Sequence, residues 1–144
     1  MIVIDVNLLL YSHMRSSPFY QPARVWFEQI LSSDEEVGVP LQCAIAFLRI
    51  TTNKRIPLGR LAIPFALDIV DGWLAQPNVR LLCAGVEHWP IFRRMLLEGN
   101  ASGDLGTDAH LAALTVEFGG TLYTTDSDFA RFAELRWRNP LIKA

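Results

Sequence analysis

Three β-branched apolar residues in succession, Ile2-Val3-Ile4, run directly into a carboxylate, Asp5. A strand without polar alternation is buried on both faces, which is the situation at the centre of a parallel sheet covered by helices. The carboxylate that closes such a strand has lost most of its water and needs a partner. The chain must therefore be folded around that strand, and something must satisfy Asp5.

The remainder of the sequence supplies the matching elements. Helical spacing of Ala23, Trp26, Phe27, Ile30 and Leu31 predicts a helix opening near Pro22, after the break at Ser16-Ser17-Pro18. Val37-Gly38-Val39 is a brief strand ended by Pro40. Leu41 to Thr52 is a helix with Leu41, Ala44, Ile45 and Leu48 on its apolar stripe. Asn53-Lys54-Arg55 and Pro57 to Arg60 form a basic, irregular segment. Pro64 to Gln76 is a helix with Phe65, Ile69, Trp73 and Leu74 inward, followed by a strand over Val79 to Cys83 and a helix over Trp89 to Leu97. The last third gives a helix beginning at Asp108 and stopped by Gly119-Gly120, a strand over Thr121 to Tyr123, and an acidic turn with Asp126 and Asp128. Leu135-Arg136-Trp137-Arg138 alternates as an edge strand does. Strands alternating with helices predict an α/β sandwich, a mostly parallel central sheet flanked by helices, in a single domain spanning residues 1–144.

Asp5 and the Asp126/Asp128 turn each follow a strand directly, so both fall on the carboxyl edge of that sheet, where open α/β folds bind ligands. Asp108 heads the helix that feeds the second of these strands. Each acid also has an ordinary role: Asp108 beside the helix dipole with Thr107 as cap, Asp126 and Asp128 as turn formers. Crowded together, however, four carboxylates repel one another. No Lys or Arg lies within three residues of Asp5, and Arg131 offsets only part of the charge at the turn. A hard divalent cation with oxygen ligands resolves the repulsion, and Mg²⁺ or Mn²⁺ suits such ligands. Zinc does not, because His13, His88, His110, Cys43 and Cys83 show no ligand spacing. Both cysteines lie in apolar runs and read as buried free thiols. A carboxylate-held magnesium site suits phosphoryl chemistry, with one carboxylate deprotonating the attacking water. Asn7, with Thr124 or Thr125, could fix carboxylates or water by hydrogen bonds.

These residues also resemble a known pattern. Ile4-Asp5-Val6-Asn7, Phe47-Leu48-Arg49, the run Thr107-Asp108-Ala109-His110-Leu111-Ala112-Ala113-Leu114, and Thr125-Asp126-Ser127-Asp128-Phe129 with Phe132 are similar to the PIN domain. More closely, they resemble the VapC-type toxins of bacterial toxin–antitoxin pairs. The resemblance covers essentially the whole chain. It implies a PIN-like α/β/α sandwich, a Mg²⁺- or Mn²⁺-dependent endoribonuclease, a homodimer, and inhibition by a VapB-like antitoxin. Carried over by position, it implies Asp5 and Asp108 as the principal metal ligands, Asp126 as the third catalytic acid and Asp128 as an auxiliary ligand. One departure is Ala46, where many members of the family carry a glutamate three residues before the arginine. Gln42 on the same face is a neutral ligand; Asp104 could substitute from the loop, or the site holds a single metal. The alternative function is a catalytically weak PIN fold that binds RNA or a partner.

For an RNA substrate the phosphates need cations near the acidic mouth, and Arg49, Lys54 and Arg55 are the candidates, with Arg60, Arg93 and Arg94 behind them. Tyr11, Phe19 and Tyr20 could stack bases. The face of Trp26, Phe27 and Ile30 and the helix from Pro64 through Trp73 could take an apolar antitoxin segment. A receiver-type phosphoacceptor domain is excluded, since it needs a late lysine and no lysine lies between Lys54 and Lys143. The net charge of −2 excludes a nucleic-acid-coating protein but not a nuclease with a local basic rim. With no basic leader and no apolar span, the chain is expected to be soluble, cytoplasmic and free of membrane contact.

Overall fold

A computed structural model describes residues 1–56 and 60–142. Five short strands form one sheet in the order β3-β2-β1-β4-β5: β1 Ile2–Ile4, β2 Val37–Pro40, β3 Val79–Leu82, β4 Thr121–Tyr123 and β5 Trp137–Arg138. Every pairing is parallel, with Val3 opposite Gly38 on one side and Leu122 on the other. The central strand is the unbroken apolar one: Ile2, Val3 and Ile4 are all buried, as the sequence requires of a strand covered on both faces. The chain leaves β1 first toward β2 and β3 and later toward β4, so the strand order reverses between β1 and β4. Crevices open at the carboxyl edge of such a switch point.

The helices are α1 Val6–Tyr11, α2 Tyr20–Leu31, α3 Leu41–Thr51, α4 Ile63–Leu74, α5 His88–Glu98 and α6 Leu105–Glu117. They flank the sheet in two groups, α1 to α4 packing among themselves and α5 against α6. The arrangement is the expected α/β/α sandwich, with the sheet wholly rather than mostly parallel. Among the described residues no helix is long and apolar enough to cross a membrane.

Four local expectations are corrected. The apolar stripe of α3 is Cys43, Ala44, Phe47 and Thr51, while Leu41 and Ile45 are exposed, Ile45 by 54%. In α4 the buried residues are Ala66, Val70 and Trp73, and Phe65 faces out with 57% exposure. Each helix buries one large aromatic, Phe47 or Trp73, flanked by smaller side chains, while Leu41, Ile45 and Phe65 are left outside. Helix α6 begins at Leu105 rather than Asp108. Asn100 at φ 46 and Gly103 at φ 58 turn the chain early. The weak helix formers Gly106 and Thr107 fall in the first turn, where the amide groups have no intrahelical partner to lose. At its other end α6 stops as expected at Gly119, φ 65. The amide of Gly119 donates to Val116 O and that of Gly120 to Thr115 O, a Schellman closure that only a residue tolerant of positive φ completes without strain. Of the two free cysteines, Cys43 is buried as expected but Cys83 is exposed past the end of β3. Part of the basic segment expected over Pro57 to Arg60 lies outside the described residues.

Candidate active site

Parallel strands and antiparallel crossover helices bring several chain segments to one edge. Asp5 leaves β1, Thr124 to Asp128 leave β4, and α3 begins where β2 ends. Helix α6 runs back down the sheet to feed β4, so its first turn, with Asp108, sits at the same edge.

Asp5 is 8% exposed and is the N-cap of α1. Its Oδ1 accepts the Val6 amide at 2.7 Å, and its Oδ2 accepts the Thr124 hydroxyl at 2.8 Å and Asn7 Nδ2 at 3.4 Å. Thr124, fully buried, is the hub of this network. Its Oγ1 also accepts Asn7 Nδ2 at 3.2 Å and the Asp126 amide at 3.0 Å, which ties the β1 acid to the β4 turn. Of the two threonines the sequence offered, it is Thr124 whose hydroxyl touches a carboxylate. Thr125 contributes its backbone amide to Asn7 Oδ1 at 3.5 Å. The reason is strand alternation: adjacent residues at a strand end face opposite ways. Asp126 caps the short 3-10 helix Ser127–Arg131 by accepting the Asp128 amide at 2.9 Å.

Asp108 stands across from Asp5. The two line one cavity of about 280 Å³ together with Gln42, Cys43, Ala46 and Arg49 of α3. Burial, then Asp126, Asp5 and Asp128 in turn, push the Asp108 carboxyl up to about 6, and Arg131 only partly opposes them. Burial also raises Asp5, against the hydrogen bonds from Thr124 and Val6 and with a further push from Asp126. Cys43 is held well above the usual thiol range by burial and by Asp5 beside it. Four carboxylates from three separate stretches of the chain thus share one electrostatic neighbourhood. Asp104 does not join it: it is exposed at the head of α6 and takes no part in the Asp108 shift.

Arg49 is the cation in the cavity wall, and among the described residues it makes no ion pair. Lys54 and Arg55 are exposed on the turn after α3 and do not line the cavity. Gln42 Oε1 is buried in that wall without a hydrogen-bond partner. Sequence reasoning missed Cys43 as a neighbour of Asp5; the signal was its place on the helix face that also carries Ala46. It also missed a part-buried pair between α5 and α6, in which His110 Nδ1 and His88 Nε2 lie 2.7 Å apart with Glu117 at 3.7 Å from His88.

The donor chemistry, carboxylate oxygens with little positive charge to balance them, fits a hard divalent cation. Among the described residues no three His, Cys, Asp or Glu side chains stand close enough to hold an ion as placed. Asp5 is pinned by its donors, so any such ion requires Asp108 or Asp126 to turn toward it.

Comparison with known proteins gives a consistent result. The family model described as "PIN domain" matches residues 2–135. Ribonuclease VapC33 of Mycobacterium tuberculosis is 37% identical over 141 residues, covering 98% of this chain and 99% of that protein. Ribonuclease VapC25 of the same organism is 39% identical over 145 residues, covering 99% of this chain and 100% of that protein. Among solved structures, FitAB bound to a DNA fragment aligns with a TM-score of 0.73 at 15% identity, over 100% of this chain and 98% of that one. VapBC2 from Rickettsia felis bound to promoter DNA aligns with a TM-score of 0.69 at 14% identity, over 96% and 98%.

Proposed function

Because this chain belongs to the PIN-domain family and, within it, to the VapC ribonucleases, we propose that it is a divalent-cation-dependent endoribonuclease and the toxin of a toxin–antitoxin pair. The observation that carries this reading is geometric: Asp5 and Asp108 line one cavity, and Thr124 ties Asp5 to the Asp126 turn, so that burial and then Asp126, Asp5 and Asp128 push the Asp108 carboxyl up. A carboxylate held among like charges without a matching cation is a ligand-binding arrangement, since the repulsion is relieved only by a proton or a metal.

Mg²⁺ or Mn²⁺ would be held by Asp5, Asp108 and Asp126, with Asp128 as the outer ligand. It would supply a Lewis acid that stabilises charge on the scissile phosphate and acidifies water. The chain's own groups do the rest. Thr124 and Asn7 fix Asp5 so that one lone pair of its carboxylate keeps a constant direction. The Thr125 amide holds Asn7 in turn. One carboxylate of the set takes the proton of the water whose oxygen attacks phosphorus as the phosphodiester P–O bond opposite it breaks. Arg49, from the cavity wall, neutralises a phosphate oxygen, and Lys54 and Arg55 attract the strand from the rim.

The apolar face for a VapB-like antitoxin keeps the α4 half of the sequence expectation and loses the α2 half. Phe27 and Ile30 of α2 are consumed by the core, whereas Ile63, Phe65 and Leu67 of α4 with Leu41 and Ile45 of α3 stay exposed. We assign the antitoxin contact to this α3–α4 face, the chain acting as one unit and as a homodimer. A second reading has a specific observation behind it: with Ala46 in the wall and, among the described residues, no three acids at ligand distance, the chain could bind RNA or a partner with little cleavage. Incubating purified protein with single-stranded RNA in Mg²⁺, Mn²⁺ or chelator separates the two. Metal-dependent cleavage lost in Asp5→Asn supports the nuclease, and RNA retention without cleavage at any metal concentration supports the binding module.

A further inference from the structure

The alternating segment Arg136-Trp137-Arg138 is not used by the acidic site, yet it lines a groove. This groove, about 740 Å³, runs along β4 and β5 between Glu35, Thr121, Tyr123, Arg136, Trp137 and Arg138. Tyr123 is opposite Arg138 and Leu122 opposite Trp137 in the register. Because strand side chains alternate, Thr121, Tyr123, Arg136 and Arg138 project from one face. The two arginines, two residues apart, stand roughly 6.5–7 Å from each other along the strand, a spacing comparable to that of successive phosphates on an extended single strand.

Both arginines are exposed, and among the described residues neither forms an ion pair. Arg24, Arg80 and Arg94, in contrast, are each held by a glutamate. Arg136 keeps only a long hydrogen bond to Gly119 O at 3.4 Å. Tyr123 is fixed by stacking on Trp26, centroids 5.6 Å apart. The one acid in the groove, Glu35, lies at the end away from the carboxylates. At the other end the Thr124 amide donates to Arg138 O at 2.9 Å, and the Thr124 hydroxyl donates to Asp5. The groove thus opens one residue from the acidic site.

Arginine on an edge strand has an ordinary function, which is to discourage pairing with another chain. That explains an outward charge but not a concave face with two unpaired guanidinium groups and aromatic rings leading to a cluster of carboxylates. Resting on the ribonuclease reading, we propose that the β4–β5 face is the backbone subsite for the single-stranded RNA flanking the cut. Arg136 and Arg138 bind successive phosphates, beside the Tyr123 ring that projects from the same face. The positive groove draws in a polyanion that the carboxylates alone would repel.

The test is fluorescence anisotropy of a labelled single-stranded oligoribonucleotide with the full chain in chelator, across a salt series. Arg136→Gln/Arg138→Gln should bind about tenfold more weakly, and the log–log salt slope should fall by about 1.4, at about 0.7 for each phosphate no longer neutralised. Arg136→Lys/Arg138→Lys should retain the slope, and Arg80→Gln, at an arginine already held by Glu36, should match the wild type. If the double glutamine variant melts early, Arg138→Gln alone decides, with an expected slope change of about 0.7. Unchanged affinity and slope overturn the proposal, as does a variant that loses a protein partner but not RNA. The nuclease reading fails separately. A wild type that never cuts RNA but loses RNA affinity on Arg136/Arg138 substitution leaves the groove standing. A wild type that cuts, with unchanged KM in the double variant, removes the groove and leaves the nuclease.

Discussion

His13 and Asp108 are both ionisable groups drawn out of water, and the molecule treats them in opposite ways. His13 accepts the Trp73 indole N–H at Nε2, 3.1 Å, which leaves Nδ1 to donate to Leu9 O at 2.8 Å. The rings of Phe27, Phe47 and Trp73 surround it at 5.1–5.6 Å between centroids. Burial pushes its pKa down to about 4, so it sits neutral with its partners complete. Asp108 is pushed the other way, up to about 6, by burial and then by three like charges, and no complete set of partners answers it. A buried polar group with satisfied bonds belongs to the core. A carboxylate held among carboxylates keeps its repulsion unanswered, and the difference marks Asp108 off from the framework.

The largest expected effect attacks the chemical side of this contrast. Asp5→Asn or Asp108→Asn should lower metal-dependent cleavage of single-stranded RNA by about a thousandfold or more, followed by gel assay with circular dichroism unchanged. Next in size is the framework side: His13→Ala empties a ring-sized space and orphans the Trp73 N–H. It should cost about 3 kcal/mol in urea unfolding while cleavage below the melting temperature stays within a few-fold of wild type. A smaller effect has the opposite sign. Without metal at pH 7.5, Asp108→Asn should be more stable than the wild type, by less than about 1 kcal/mol because solvent screens the repulsion it removes, and only the wild type should gain stability on adding Mn²⁺.

The smallest effect lies in the pH dependence. Between about 4 and the unfolded value of 6.5, unfolded His13 takes up a proton that the folded chain refuses, so acidification costs stability. Between the unfolded value of 3.8 and about 6, folded Asp108 keeps a proton that the unfolded chain has lost, so acidification adds stability. In the wild type the two oppose each other. Asp108→Asn should therefore lose stability more steeply than wild type as pH falls from 6 to 4, by no more than about 1.4 kcal/mol per pH unit. Chemical denaturation across that range reads the slopes, and parallel profiles would deny that the two groups differ.

The same contrast explains what was legible in the sequence. Ile2-Val3-Ile4 read correctly because an unbroken β-branched run has few other fates, and Gly119-Gly120 because positive φ has few other residues. The stripe of α3 did not read correctly. Hydropathy favours Leu41 and Ile45, whereas the helix turns Cys43, Phe47 and Thr51 inward beside the expected Ala44, against α1 and α4. Thr124 could not be told from Thr125 because a register shift of one residue reverses which hydroxyl faces Asp5. Placing Asp5 and Asp126 on one edge needed only the strand–helix alternation. How closely Asp108 approaches them depends on where α6 starts, which Gly103 and Asn100 decide through backbone turns that hydrophobic periodicity does not register.

The most direct measurement is a titration of Mn²⁺ into chelator-treated full-length protein, with free Mn²⁺ followed by electron paramagnetic resonance and Asp5→Asn and Asp108→Asn run alongside. Uptake by the wild type, weakened by about a hundredfold in each variant, is the expected result. Equal uptake by all three proteins, or none by the wild type at millimolar Mn²⁺, would contradict the convergence of these carboxylates on one ion.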